Sequence, residues 1–230
     1  MTDVKLACRC GAFQGIVHGV APGKVNRCIC YCEDCQAFAR YLDGEQTILN
    51  QNGGTEITQV SAGSLVISQG QDHLVAIRLS PSGPWRWYTS CCKTPVANTV
   101  EGSRLPFAGM IWPIFADVSQ ENVENLLGPI RGSVHGKHAY GDVGSLDLDH
   151  GMPKGRLIRL MALMLTWKLQ GAARNSPLLN LDGVQPEMLG KAELQALKSR
   201  GQASNSSQTS ATYVFDARME GLTVKKLGPH

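Results

Sequence analysis

The chain has no apolar run long enough to cross a bilayer. Its longest, Leu157 to Leu169, falls short of the roughly 20 residues a spanning helix needs and is interrupted by Arg159 and Lys168. The opening residues, Met1-Thr2-Asp3-Val4-Lys5-Leu6-Ala7-Cys8, lack the apolar stretch of a secretory signal. No internal repeat is visible, and no long biased tract argues for wholesale disorder. A Gly-rich phosphate cradle and a Ser/His/Asp constellation are both absent, which removes two common routes to an activity. What is left is the expectation of a soluble, cytoplasmic protein without a membrane partner. Its 230 residues can bury one good core, or one core and a small appendage.

What the chain does have is cysteine, eight of them. In a reducing compartment they argue for metal ligands more than for disulfides. Scattered single cysteines would read as small buried hydrophobes, but these are clustered.

Three fall within six residues, Cys30-Tyr31-Cys32-Glu33-Asp34-Cys35. On an extended segment residues 30 and 32 share a face, and a turn at Glu33-Asp34 returns Cys35 toward them. Three convergent thiolates with an open fourth position distinguish a catalytic zinc from a closed structural one. Cys28 lies on the same strand face and would close the site if it ligated. A further strand step carries it about 6–7 Å away, against the ~3.8 Å between sulfurs on one zinc, so it is expected to be a core residue. A thioredoxin-like redox motif is disfavoured, because that motif belongs at a helix start in a βαβ unit.

A second set comprises Cys8-Arg9-Cys10-Gly11 and Cys91-Cys92. Cys8 and Cys10 are too close in sequence for a disulfide, yet suit two ligands from one turn. A vicinal pair on one metal is unusual, and one of Cys91 and Cys92 is free to face away. Up to two zinc ions are therefore expected.

From Val4 to about Ile114 short apolar alternations broken by Gly, Pro, Ser and Asn predict many strands. The best are Phe13–Val17, Val25–Cys30, Thr55–Val60, Leu65–Ile67, Leu74–Leu79 and Trp85–Tyr88. Asp34 to Leu42 predicts one or two helical turns. Residues 128–155, with seven glycines and three of the six histidines, read as a connecting loop. Residues 156–170 and 186–200 predict helices, the second ended by Gly201, and 201–230 reads as a flexible tail. The first helix is apolar on nearly all sides and must be covered by the β body or by a second subunit, so a homodimer through it is one expectation. The fold class is mainly β, α+β overall: a zinc-binding β domain over 1–127 with a helical extension over 156–200.

Net charge is +3, but residues 151–200 carry 8 Lys+Arg against 3 Asp+Glu, while 1–150 carry 11 against 14. Such a block can mark a nucleic-acid surface. It reads better as a helix's solvated face, and nucleic acid is disfavoured. His18, His73, His135 and His138 read as surface or satisfied residues. Glu33 and Asp34, lying between ligands, could move a proton, or serve only as turn residues. Arg78, Arg86 and Arg104 could pair with substrate carboxylates through bidentate contacts but, being scattered, read as surface groups, and Trp85, Trp87 and Trp112 read as core.

Three motifs taken together resemble the glutathione-dependent formaldehyde-activating enzyme family, which includes a centromere-associated vertebrate member. Cys8-Arg9-Cys10-Gly11 is similar to its opening C-x-C-G. Cys30-Tyr31-Cys32-Glu33-Asp34-Cys35 is similar to C-H-C-x-x-C, with Tyr31 where His is usual. Trp87-Tyr88-Thr89-Ser90-Cys91-Cys92-Lys93-Thr94-Pro95 is similar to R-F-C-x-x-C-G-T, with Thr89 at the first cysteine, so Cys91 must substitute. The match covers about residues 5–115 and has no counterpart for the basic region beyond 150. The resemblance implies a zinc-stabilised β fold with a functional zinc at Cys30, Cys32 and Cys35, and a structural one at Cys8, Cys10 and the late cysteines. It also implies a carbon–sulfur lyase acting on a small thiol adduct such as a glutathione hemithioacetal. The competing expectation is a non-catalytic, zinc-stabilised binding module that uses its basic helical extension.

Overall fold

Alternation along one short strand divides the molecule. In Trp85–Thr89, Trp87 points to one side of its sheet while Arg86 and Tyr88 point to the other. A computed structural model shows what lies on each side. It describes residues 1–100, 105–119, 121–141, 154–181 and 183–205.

The chain forms β1 (Thr2–Ala7), β2 (Gln14–Val20), β3 (Asn26–Cys30), α1 (Glu33–Tyr41), α2 (Glu45–Ile48), β4 (Thr55–Ser61), β5 (Leu65–Gln69) and β6 (Leu74–Arg78). Then follow β7 (Trp85–Thr89), β8 (Pro95–Thr99), β9 (Phe107–Ile111), α3 (Val123–Leu127), β10 (Ser133–Val134), α4 (Lys154–Leu169), β11 (Glu187–Met188) and α5 (Lys191–Asn205). It is mainly sheet with a few helices, α+β. A three-stranded sheet runs β1-β2-β5, and an eight-stranded sheet runs β10-β3-β4-β9-β8-β7-β6-β11. Pairing is antiparallel except at the two ends, where β10 and β11 add in parallel to β3 and β6.

The main core lies between the sheets. Val4, Leu6, Phe13 and Val17 from the small sheet meet Val60, Trp87, Ala97 and Met110 from the large one. Trp87 is fully buried and its indole N–H donates to Thr99 Oγ1 at 2.8 Å, so the ring enters the core without an orphaned donor. On the far face of the large sheet, Ala37 and Phe38 of α1 pack with Ile77, Leu79 and Ile111, and with Leu189 and Leu197 from the C-terminal part.

α1 starts where it does because Cys32 caps it, its sulfur accepting from the Cys35 amide at 3.4 Å. Glu33 and Asp34 in the first turn suit the positive helix end. α5 lies along α1: the Lys198 ammonium meets Asp34 at 2.6 Å, and Arg40 Nη1 donates to the Leu197 carbonyl at 2.9 Å. α4 turns Leu160 and Trp167 inward, while Arg159 Nη2 donates to the Gly23 and Val25 carbonyls at 3.1 Å. Its follow-on turn sits so close to the body that a Cβ at Gly63 would stand 2.8 Å from the Ala172 carbonyl. Among the described residues no helix is long and apolar enough to cross a membrane.

All six predicted strands form, but the alternation pattern passed over β1, β8, β9 and the short edge strands. The helix predicted over 186–200 starts later and ends later. Glu187 and Met188 are drawn off as β11 because the β6 edge offers them a parallel ladder, continued by Leu189 N–H to the Arg78 carbonyl at 3.0 Å. α5 then runs through Gly201 to Asn205, so Gly201 does not end the helix. A glycine costs a helix only about 1 kcal/mol, and Leu194 and Leu197 packed beside α1 outweigh that. Of the segment expected as a tail, 201–205 is helix, and 206–230 lies outside the described residues. The loop segment 128–141 is tied down: Tyr140 donates to Gln36 Oε1 at 2.6 Å. Residues 142–153 lie outside the described residues, as does Arg104.

Because Trp87 joins both sheets, Trp87→Ala should cost about 3–5 kcal/mol. Denaturant unfolding should show a lower midpoint with an unchanged slope.

Candidate metal centres

Two groups of cysteines converge, and each is built by a turn. At the first, β3 delivers Cys30 at its end, the chain turns, and α1 opens with Cys32 as cap and Cys35 in its first turn. The ligand atoms of Cys30, Cys32 and Cys35 all lie within 4.8 Å of one another. Cys30 and Cys35 are buried and Cys32 is half-buried. The strand end is fixed from both sides: Cys30 faces Thr55 of β4 and Val134 of β10. Among the described residues, no fourth Cys, His, Asp or Glu joins this group. Cys28 faces Ile57, outside it, and burial pushes its thiol up to about 12.

The three sulfurs share protons unequally. Hydrogen bonds from Cys30 and Cys32 hold the Cys35 thiol well below its ordinary value against the cost of burial. Cys30 is pushed up because it donates to Cys32 and Cys35. Cys32 is lowered by the bond it accepts from Cys30, but its own bond to Cys35 and burial outweigh this and raise it. Of the three, Cys35 is the sulfur whose surroundings most favour the thiolate.

Arg86 is the counter-charge. It is 3 % exposed, its Nη1 donates to Cys35 Sγ at 3.7 Å, and its guanidinium lies 5.5 Å from the centre of the Phe38 ring. Burial alone would lower its pKa, yet the charge of Cys35 and then Cys32 raises it. The sequence reading had placed Arg86 on the surface, and this is wrong. The signal that could have found it is its position between Trp85 and Trp87, beside Tyr88, in a strand too apolar to be at an edge.

At the second group the β1–β2 turn meets the β7–β8 turn. Cys8 Sγ lies 3.5 Å from Cys10 Sγ and 3.8 Å from Cys91 Sγ, Cys10 lies 3.4 Å from Cys91, and Cys91 lies 3.8 Å from Cys92. The edge of a tetrahedron with Zn–S near 2.3 Å is about 3.8 Å, so this set fits a tetrahedral, thiolate-liking ion such as zinc. Both vicinal cysteines reach the group, so neither faces away. The turn permits this because Lys93 adopts φ 55° and the Thr94 amide folds back to Thr89 Oγ1 at 3.1 Å. Arg9 ties the two turns, its amide donating to Thr94 Oγ1 at 3.0 Å and its Nη2 to the Cys92 carbonyl at 3.1 Å. Burial opposes ionisation of Cys92, but the Thr94 and Thr89 hydroxyls overcome it and draw its thiol down to about 5. Burial and the bond to Cys10 push Cys91 up to about 12.

The remaining candidates are accounted for by ordinary partners. His18 pairs with Asp3 at 2.8 Å, and His138 lies 3.6 Å from Glu33, which also meets Lys198 at 3.9 Å. His73 and His135 join no group of ligands among the described residues. Trp85 and Trp112 are partly buried against the main core.

A family model matches residues 1–188, which include both cysteine groups and most of the fold. The chain belongs to the DUF6151 family. DUF6151 is described as a family of unknown function. No curated protein matches the chain. A Rhodobacter sphaeroides protein solved by a structural-genomics programme is similar at 18% identity and TM-score 0.37, over 56% of this chain and 98% of that one.

Two outcomes follow for the DUF6151 chain. Cys8 and Cys91 are 83 residues apart, so an ion among them closes a long loop. Cys10→Ser or Cys92→Ser should lower the melting temperature by several degrees more than Cys32→Ser. In chelator-stripped protein, Cys92 should be the thiol that iodoacetamide modifies first at neutral pH, with a rate falling as pH drops through about 5. Cys91, raised to about 12, should resist below strongly alkaline pH, as peptide mapping would show.

Proposed function

We propose that the protein is a zinc-dependent, carbon–sulfur lyase-like enzyme of the formaldehyde-activating type, acting in the cytoplasm on a small thiol adduct such as a glutathione hemithioacetal. The observation that carries the proposal is the group of Cys30, Cys32 and Cys35, three converging sulfurs with no fourth protein donor among the described residues. Zinc, which Cys30, Cys32 and Cys35 would hold, would supply Lewis-acid chemistry that lowers the pKa of a substrate thiol or hydroxyl.

The chain's own residues do the rest. Cys30 and Cys35, buried at the junction of β3 and α1, fix the site to the rigid sheet, and Cys32 leaves one side partly exposed. Arg86 offsets the negative charge that three thiolates concentrate there. Making or breaking a C–S bond in a hemithioacetal also moves one proton between the adduct's oxygen and an acid/base. Glu33, next to Cys32 and paired with His138 at 3.6 Å, is the group best placed to hold it. The four-cysteine group ties the two hairpin turns together and takes no part in the reaction.

The alternative, a binding module working through its basic helical extension, is less well supported. Two of that region's cations are spent within the molecule, Lys198 on Asp34 and Arg159 on backbone carbonyls.

Protein purified without chelator should carry close to two zinc ions per chain. X-ray absorption at the zinc edge should show a change in one centre when glutathione is added, a fourth ligand being replaced by sulfur. Cys28→Ala should keep the metal and the response. Loss of metal in Cys28→Ala, with no response to thiol in the parent, would close the site and leave the module reading.

A further inference from the structure

We infer that the outward face of α4 is a homodimer interface, its occupant a second copy of this chain. The helix is already docked by its inner side, through Leu160 and Trp167, at 6 % and 4 % exposure. Its opposite side carries Ile158, Met161, Leu165 and Leu169, exposed by 70 %, 56 %, 59 % and 81 %, and Leu157, 45 % exposed, borders it. A helix with apolar residues on both sides needs a cover on both, and among the described residues nothing in the chain supplies the outer one.

The arrangement of the stripe favours another helix. Ile158, Met161 and Leu165 follow one another at i, i+3 and i+7, the spacing of a seam whose side chains interlock with a neighbouring helix. Ala162, exposed between them, lets a partner approach closely. The five large side chains present on the order of 500 Å² of apolar surface, the upper end of what a monomer tolerates. A two-fold pairing would remove about 1,000 Å² from the two copies together, the level at which specific interfaces begin. The stripe is self-complementary, as the commonest oligomeric symmetry requires.

Charge decides between a second copy and an anionic lipid surface by the sign of the salt effect. The helix has no acidic residue, and Lys154 and Lys168 flank the stripe at its two ends. Pairing two copies brings like charges near each other, so added salt should tighten the dimer. Binding to anionic lipid would weaken with salt.

The test is light scattering after size-exclusion chromatography, and sedimentation equilibrium, on the full zinc-loaded chain. The wild type should have twice the chain mass at tens of micromolar, and its dissociation constant should fall as sodium chloride rises. Leu165→Glu should weaken association at least 100-fold, while zinc content and far-UV circular dichroism stay unchanged. Leu169→Glu, at the most exposed position and the helix end, is the milder variant and should weaken association at least 10-fold. One chain mass for the wild type at every concentration and salt would overturn the inference. A dimer untouched by both substitutions would overturn it as well. Co-flotation of a one-chain species with phosphatidylserine vesicles, lost at high salt, would assign the face to lipid instead.

Discussion

Thiolate sulfurs crowded within a few ångströms repel one another, and the fold gathers seven cysteine sulfurs in two places where a cation could hold each group together. At the four-cysteine group the sulfurs stand 3.4–3.8 Å apart across two turns that are over eighty residues apart in sequence. Those turns belong to different sheets, β1–β2 to the small one and β7–β8 to the large. An ion between them would tie the two sheets together at that end. Its binding free energy would then be folding free energy. At the three-cysteine group, an ion would sit at the junction where the chain leaves β3 and begins α1, already fixed by the Cys32 cap and the pairing of Cys30 with β4 and β10.

The two groups meet the repulsion differently. Cys10 and Cys91 are exposed, so water would screen the net charge that four thiolates leave around a divalent ion. Cys30 and Cys35 are buried, and a buried charge needs a partner. Arg86 is that partner, and only arginine suits the position. Its planar guanidinium lies over the Phe38 ring while one nitrogen reaches the sulfur, a combination a lysine ammonium cannot reproduce.

How much of this was legible in the chain depends on the kind of signal. The strands built of alternating apolar residues were readable, because one face of each is buried and the other is not. β8 and β9 were missed for the opposite reason: Pro95-Val96-Ala97 and Ala108-Gly109-Met110-Ile111 are buried on both faces, so little alternation survives. β11 depended on an empty sheet edge, which no local pattern announces. The cysteine clusters stood out because three ligands lay within one turn of chain. The fate of the vicinal pair did not, since it rests on the positive φ of Lys93 and on Thr89 folding back across the turn. Arg86 was the costliest omission. The one hint was its place between two tryptophans, but that could not say which element covers its face of the strand, and here α1 does.

The balance of charge at the buried group also bears on what it can accept. Three thiolates around a divalent cation leave one net negative charge, which Arg86 cancels. A neutral ligand in the fourth position keeps the sum at zero. A thiolate would take it to minus one in a region where Cys30 and Cys35 are buried, so a thiol bound there would ionise only if its proton left toward an acid/base and its charge faced water. The partly exposed side, at Cys32, is the side where both conditions can be met, and Glu33 and His138 stand at that edge. An all-apolar surround would have forbidden the anion, and a fully solvated one would have left the zinc with no electrostatic advantage over bulk water. On the proposed function, the half-buried setting of Cys32, between a buried arginine and the Glu33–His138 pair, would let a small thiol bind as an anion and leave again.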